Sequence, residues 1–228
     1  MTEPHARAIE ARRLLRAARV GTLASSVEGQ PFASLITPAV APDGSALLLL
    51  SDLSEHTRHL RAEPRCALLV AGMQPEPNPQ TIPRVTVTGL AEPSERPDLK
   101  ARYLAVHPYA ALYAGFGDFH LWRVRLLGGL WVGGFGRAGR LSAADLTPDP
   151  AAVSAIAAAE PGIIVDRNAD NPDALARVAG EPGDWRLASL DVDGCDLANG
   201  ERVVRVHWSR FVGDAGEIRH ELDRLGGG

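Results

Sequence analysis

Apolar and polar positions along this chain repeat with two different periods. In residues 3–18, Ile9, Leu14 and Leu15 fall near helical spacing among charged side chains, which predicts an amphipathic helix. The period then shortens. Residues 20–26, 32–40 and 46–51 read as strands, separated by turns at 28–31 and 42–44, and so form an antiparallel meander. Residues 51–60 break this alternation. Ser54 stands where an N-cap would start a short helix carrying Thr57, Arg58 and Leu60, and Pro64 closes it. Residues 66–71 return to strand. The stretch 72–83 holds four prolines and is a loop. Residues 84–89 make a further strand, 97–106 a helix, and 119–127 and 130–134 the last strands, divided by Gly128 and Gly129. Six to seven antiparallel strands with one short helix between the third and fourth predict a small barrel. A parallel sheet would need a helix after nearly every strand.

The pattern changes again beyond residue 140. Residues 141–150 are polar with two prolines and read as a linker. Residues 151–160 form an Ala-rich helix ended by Pro161, and 173–179 a second helix entered through Asn171 and Pro172. Residues 185–192 and 202–208 read as strands, with a turn at Asp193-Gly194, and 217–225 as a terminal helix before a frayed glycine tail. The chain is therefore expected to be α+β, with a barrel over 1–146 and a small ααββα module over 147–228.

Composition narrows the function classes. The 228 residues are 45% hydrophobic and 23% charged, which is globular rather than disordered or fibrous. A net charge of −4 is not that of a nucleic-acid coat. No apolar run reaches the roughly 20 residues that span a bilayer, and the start MTEPHARAIEARRLL has no signal-peptide core. A cytoplasmic protein with neither nucleic-acid nor membrane partner is expected. Cys66 and Cys195 lie far apart, so a disulfide framework or four-cysteine zinc site is excluded. Lys100 is the one lysine among 24 basic residues, a coding bias that empties arginine count of meaning. Of the 12 aromatic residues, eight sit between Tyr103 and Phe135.

Several residue groups offer candidate chemistry. His56 and His59 lie three apart, which allows a shared helix face, but a metal would need a further ligand; a solvated or capping pair is the plainer expectation. Ser51, Ser54, Thr57 and Arg58 gather hydroxyls, a guanidinium and a helix start within eight residues, a natural cradle for phosphate. The glycines of GGFGR at 133–137 follow a strand but open no helix. They fail the dinucleotide fingerprint and instead predict a tight turn or close backbone approach. Asp118 with His120 or His107 would make an acid/base pair, yet no nucleophile motif accompanies them. Trp131 and Phe135 would either stack on a flat ligand or fill a core or subunit interface.

Taken in order, the segments GTLA (21–24), PFASL (31–35), LSDLSEHTRHL (50–60), PRCALL (64–69), PRVTVTG (83–89), RYLAVHP (102–108), YAGFGDF (113–119) and WVGGFGRA (131–138) resemble the pyridoxamine 5′-phosphate oxidase-like flavoproteins. Within that family they are most similar to the heme-utilization (HugZ-like) branch, over residues 6–146, and the C-terminal half resembles the module fused to it.

The resemblance implies an FMN-binding split β-barrel that forms a homodimer with FMN at the interface, and an FMN-dependent oxidoreductase active in heme iron utilization or degradation. Ser34, Leu35, Ile36 and Thr37 would line the flavin, and Ser51, His56, Thr57 and Arg58 would hold its phosphate. His56 stands where many relatives have Lys, and Arg84, which would lie near the flavin or its phosphate, where they have Gln or Arg. Trp131 and Arg137 would come from the other subunit, with Tyr113, Phe116 and Phe119 beside that interface. Heme would be substrate or ligand, with His220 as the iron ligand. The fused module departs from its relatives, reading RNADN at 167–171 where they show Met-Asn-x-Asp-His. The alternatives are a non-catalytic heme- or partner-binding barrel, and a pyridoxamine 5′-phosphate oxidase proper.

Overall fold

The computed structural model describes residues 3–73, 77–170 and 172–227. It divides into two compact units, one formed by residues up to 103 together with 110–147, the other by 104–109 together with residues from 148 onward.

In the first unit, α1 (Glu3–Ala17) precedes a hairpin of β1 (Gly21–Val27) and β2 (Gln30–Ile36). The two linking residues, Glu28 and Gly29, both have positive φ, 51° and 81°, which matches the twist of a two-residue hairpin. The single strand expected over 32–40 is split. β2 ends at Ile36 and β3 (Ala39–Val40) follows Pro38, which has no N–H to give to a ladder. Then come β4 (Ala46–Ser51), α2 (Glu55–Ala62), β5 (Arg65–Ala71), β6 (Arg84–Pro93), α3 (Pro97–Val106, of which residues up to 103 belong to this unit), β7 (Phe119–Val132), β8 (Ala138–Ser142) and α4 (Ala143–Leu146). Within the predicted loop 72–83, a 3-10 turn occupies Pro79–Thr81, and positions 74–76 lie outside the described residues.

The strands form one sheet in the order β2-β1-β5-β6-β7-β4-β3, with β8 beside β7, and every pairing is antiparallel. Its eight strands exceed the six to seven expected because the split into β2 and β3 and the additional β8 each add a strand, while the two expected over 119–134 are one. Gly128 and Gly129 do not divide a strand: β7 runs through them, with a shift of register opposite Thr88 and Gly89. Gly128 takes φ 157° there, and a Cβ on Gly89 would stand 2.6 Å from the Arg125 carbonyl oxygen, so glycine permits the bulge and the close approach. The expected linker 141–150 begins as β8 and α4. Ser142 and Asp145 close a reciprocal capping box that starts the helix.

The curled sheet encloses Leu23, Leu48, Leu68, Val87, Trp122 and Trp131, joined by Ala11 and Leu15 of α1, Leu60 of α2 and Leu146 of α4. This is the α+β split-barrel architecture expected from the sequence.

The second unit holds α5 (Pro150–Asp170), α6 (Pro172–Ala179), β9 (Arg186–Asp191), β10 (Gly194–Asn199), β11 (Arg202–His207) and α7 (Ala215–Gly226). α5 does not stop at Pro161. It carries the proline inside it because Ile156 and Ile163, on either side, are both buried in one core. β10 makes the module ααβββα rather than ααββα. Its polar sequence hides a buried strand: Arg205 of β11 pairs with Asp191 at 2.7 Å and Asp196 at 3.1 Å, and Ser189 donates to Asp196. The expected helix entry through Asn171 and the last residue of the glycine tail lie outside the described residues. Among the described residues, no helix is long and apolar enough to cross a membrane.

Candidate functional site

A cleft of about 190 Å³ opens where β2 and β4 end and α2 begins. Leu35, Ile36 and Thr37 form one wall, Ser51, Ser54 and His56 another, and Phe119 closes one end. Each wall is pinned by polar contacts. The Tyr103 hydroxyl donates to the Thr37 carbonyl at 3.0 Å and lies 2.9 Å from Thr37 Oγ1, which fixes the chain where β2 ends. The Ser51 hydroxyl donates to Asp118 at 2.6 Å and accepts from the Leu53 amide at 3.1 Å. The Asp52 amide donates to the Asp118 carbonyl, so the turn into α2 is tied to the start of β7.

Ser54 is the N-cap residue of α2, as its sequence position predicts, but its side chain makes no capping bond. The helix start therefore retains donors for an anion. His56 is half-buried on the cleft. Burial first, and then the neighbouring His59, hold its imidazole below the ordinary 6.5. Thr57 is fully buried and its Oγ1 has no hydrogen-bond partner; the buried Ser34 Oγ has none either. Arg58 points to solvent and donates to Glu55 at 2.7 Å. His59 turns the other way, into the barrel wall, with Nδ1 3.1 Å from Ser25 Oγ. The two histidines thus do not share a ligand face, and among the described residues no group of three or more metal-ligating side chains exists.

Arg84, Trp131, Phe135 and Arg137 are not among the residues that line the cleft. Arg84 donates to the carbonyls of Gln80 and Ile82. Trp131 is 1% exposed inside its own barrel core, so its ring is not offered to a ligand or a partner; Arg137 covers that ring at 5.2 Å. The GGFGR stretch is the hairpin between β7 and β8. Gly134 and Gly136 adopt positive φ, and a Cβ on Gly133 would overlap the Trp131 ring, in line with the tight turn and close approach expected. Phe135 at its tip is exposed. Tyr113, Phe116 and Phe119 cluster, with Phe119 4.8 Å from Tyr113 and 6.3 Å from Phe116. Ser34 and Leu35 line a second, shallow groove of about 440 Å³ on the outer face of β1, β2 and β5. His220 stands exposed on α7 of the second unit.

The imagined acid/base pairs are not formed. Asp118 serves Ser51, His120 faces Asp52 at 3.4 Å, and His107 meets Tyr109 at 3.3 Å. Cys66 and Cys195 are free and buried; burial pushes the Cys66 thiol up to about 11 and that of Cys195 higher still, so neither is a thiolate nucleophile. Sequence reasoning missed three supports of the cleft: Tyr103, Asp118 in its bond to Ser51, and Ser25 beneath His59. They lie 66, 67 and 34 residues from their partners, and no local signal marks them.

An antiparallel split barrel with a short helix, uncapped by a side chain, beside its strand ends defines the class of fold. The family profile for pyridoxamine 5′-phosphate oxidase matches residues 8–129, and the chain belongs to that family. The protein Atu2129 of Agrobacterium tumefaciens C58, described as of unknown function, is 28% identical with a TM-score of 0.80, over 99% of this chain and 97% of that one. A heme binding protein from Mycobacterium smegmatis is 28% identical with a TM-score of 0.59, over 97% and 96% of the two chains. The chloroplastic heme oxygenase HOZ of Arabidopsis thaliana is 35% identical over 108 residues, 46% of this chain. This chain spans only about a third of HOZ, 32% of its length. Heme proteins are thus among the relatives, as the resemblance to the heme-utilization branch implied.

Proposed function

We propose that the barrel binds FMN in the cleft and acts as an FMN-dependent oxidoreductase, with heme as the substrate class. The observation that carries this is convergence. Leu35, Ile36, Thr37, Ser51 and His56, scattered over 22 positions of sequence, line one cleft, and Thr57 and Arg58 sit on the helix that opens onto it. The donor set fits a phosphate ester. Buried hydroxyls normally have partners, and the unpartnered Thr57 hydroxyl supplies hydrogen-bonding capacity that the protein itself does not use. Arg58 adds a planar bidentate donor, and the uncapped start of α2 adds amides and a favourable dipole.

When bound, FMN supplies the electron-transfer chemistry. The residues bind and orient it. The clamped end of β2 presents a rigid wall to the ring, and Asp118 orients the Ser51 hydroxyl. Arg61, at 2.6 Å, balances the Asp52 carboxylate, limiting its repulsion of an incoming phosphate.

The homodimer belongs to the same reading. Leu35, Thr22, Leu69, Thr86 and Leu130 pair in register across β2, β1, β5, β6 and β7, and so share one outer face. Leu35 is 74% exposed, Leu69 40% and Leu130 45%. The adjoining row is Ala33, Ala24, Ala67, Thr88 and Gly128, small enough to let a second sheet approach. An apolar face of this extent is what a subunit contact covers. Since Leu35 lines both the cleft and the outer groove, a partner copy on this face would border the flavin site.

Purified protein is expected to be yellow, releasing flavin on heating. Arg58→Ala should cost about 1.5–3 kcal/mol of FMN binding, as for hydrogen bonds to a charged group, and leave riboflavin binding unchanged. Colourless protein that takes up no added FMN would overturn the reading. The heme-binding relative favours a second reading, a heme carrier without turnover. Incubation with heme and a reductant separates the two: loss of the Soret band with iron release marks degradation, and a stable band marks a carrier. His220→Ala tests the proposed iron ligand through the heme spectrum.

A further inference from the structure

We propose that His59 is the positioning residue of the phosphate cradle, seating α2 on β1 so that Thr57, Arg58 and the helix start hold the FMN phosphate. The inference deepens the FMN reading and rests on it.

α2 has eight residues, too few to hold a helix by propensity alone, so its place is set by what its inner face touches. That face presents Thr57, His59 and Leu60. Leu60 enters the barrel core, which gives adhesion but little orientation, because apolar contact is non-directional. His59 supplies direction. The residue is 7% exposed, with Nδ1 3.1 Å from the hydroxyl of Ser25, itself 4% exposed on β1. Phe32 of β2 meets the ring edge-on at 5.1 Å and 88°. On the solvent side Nε2 lies 3.8 Å from Glu55, the carboxylate that also holds Arg58. One imidazole therefore fixes the rotation of α2 against the first hairpin and, through Glu55, touches the partner of Arg58. Thr57 and Arg58 directly precede His59, so any rotation of α2 moves both.

Two substitutions separate the roles of this ring. His59→Phe keeps the aromatic contact with Phe32 but leaves the Ser25 hydroxyl buried and unpaired. His59→Asn places an amide nitrogen close to the position of Nδ1 and restores that bond. FMN and riboflavin are titrated into wild type, His59→Phe, His59→Asn and Ser25→Ala, and amide hydrogen exchange over 55–62 is measured without flavin. His59→Phe and Ser25→Ala are expected to weaken FMN by about fivefold, the worth of roughly one buried hydrogen bond, with riboflavin affinity unchanged. Their α2 amides should exchange faster while β5 and β6 stay protected. His59→Asn should return FMN affinity to near wild type, a rescue that a simple packing role would not give.

Equal losses for FMN and riboflavin, or unchanged exchange in α2, would overturn the proposal. Wild type that takes up no FMN overturns the cofactor reading and the ligand named here. The exchange measurement then still decides whether His59 seats the helix.

Discussion

Arg58 is shared between two anions if the cleft takes FMN: the Glu55 carboxylate at 2.7 Å and the incoming phosphate. The pair is solvent-exposed, so its worth is at most about 1 kcal/mol. Glu55→Gln should therefore tighten FMN by about two- to fivefold, read by quenching of flavin fluorescence, and should leave riboflavin unaffected. His56 adds a pH dependence. Burial and then His59 hold it below 6.5, so near pH 7 it is largely neutral. A bound phosphate would raise its pKa, so binding takes up a proton and FMN affinity should climb as pH falls from about 7.5 toward 6. His56→Ala should remove that component of the slope. The sign for folding is opposite. With the folded pKa depressed, the unfolded chain binds the proton more readily, so His56 lowers stability as pH drops through 6.5. At this scale the site was largely legible: Ser51, His56, Thr57 and Arg58 cluster in sequence because one turn and one helix carry them. Tyr103, Asp118 and Ser25 were not, since a hydrogen bond across 34 to 67 residues leaves no local pattern.

At the scale of elements, legibility followed burial. The Ser54 start and Pro64 beyond its end mark α2 in the sequence. β10 is hidden in the sequence because DGCDLAN looks like a loop, and its aspartate is accommodated by Arg205 and Ser189 from the neighbouring strands. The second half of α5 is hidden in the sequence because proline ordinarily ends a helix, whereas here the core on both sides of Pro161 holds it together. That retention implies stored instability. Gly162, beside the proline, is exposed, and a Cβ there would meet nothing within 4 Å. Gly162→Ala should thus stabilise the second unit by about 0.5–1 kcal/mol. Pro161→Ala should add up to about 3 kcal/mol more, less whatever the proline contributes by restricting the unfolded chain. Urea unfolding checks both, and a destabilised Gly162→Ala would show that α5 is strained at that turn.

At the scale of the whole molecule, the outer face of the sheet decides whether the site is complete in one chain. Leu35, Leu69 and Leu130 are too exposed to serve their own core, and Leu69 lies centrally among them, between Thr22 and Thr86. A charge at Leu69 would have to be desolvated on association, with no opposite charge directly beside it in that row. Leu69→Asp is therefore expected to convert a dimer to monomer in light scattering, with the fold retained because the side chain points outward. Its effect on flavin tells where the cofactor sits. If the partner copy borders the cleft through Leu35, the monomeric variant should lose affinity for riboflavin as well as FMN, because it is the ring that the partner would touch. Arg58→Ala should lose FMN alone. A Leu69→Asp protein that is monomeric yet binds both flavins like wild type would place the complete site within one barrel, and Leu35, Ile36 and Thr37 would then be its whole ring-binding wall.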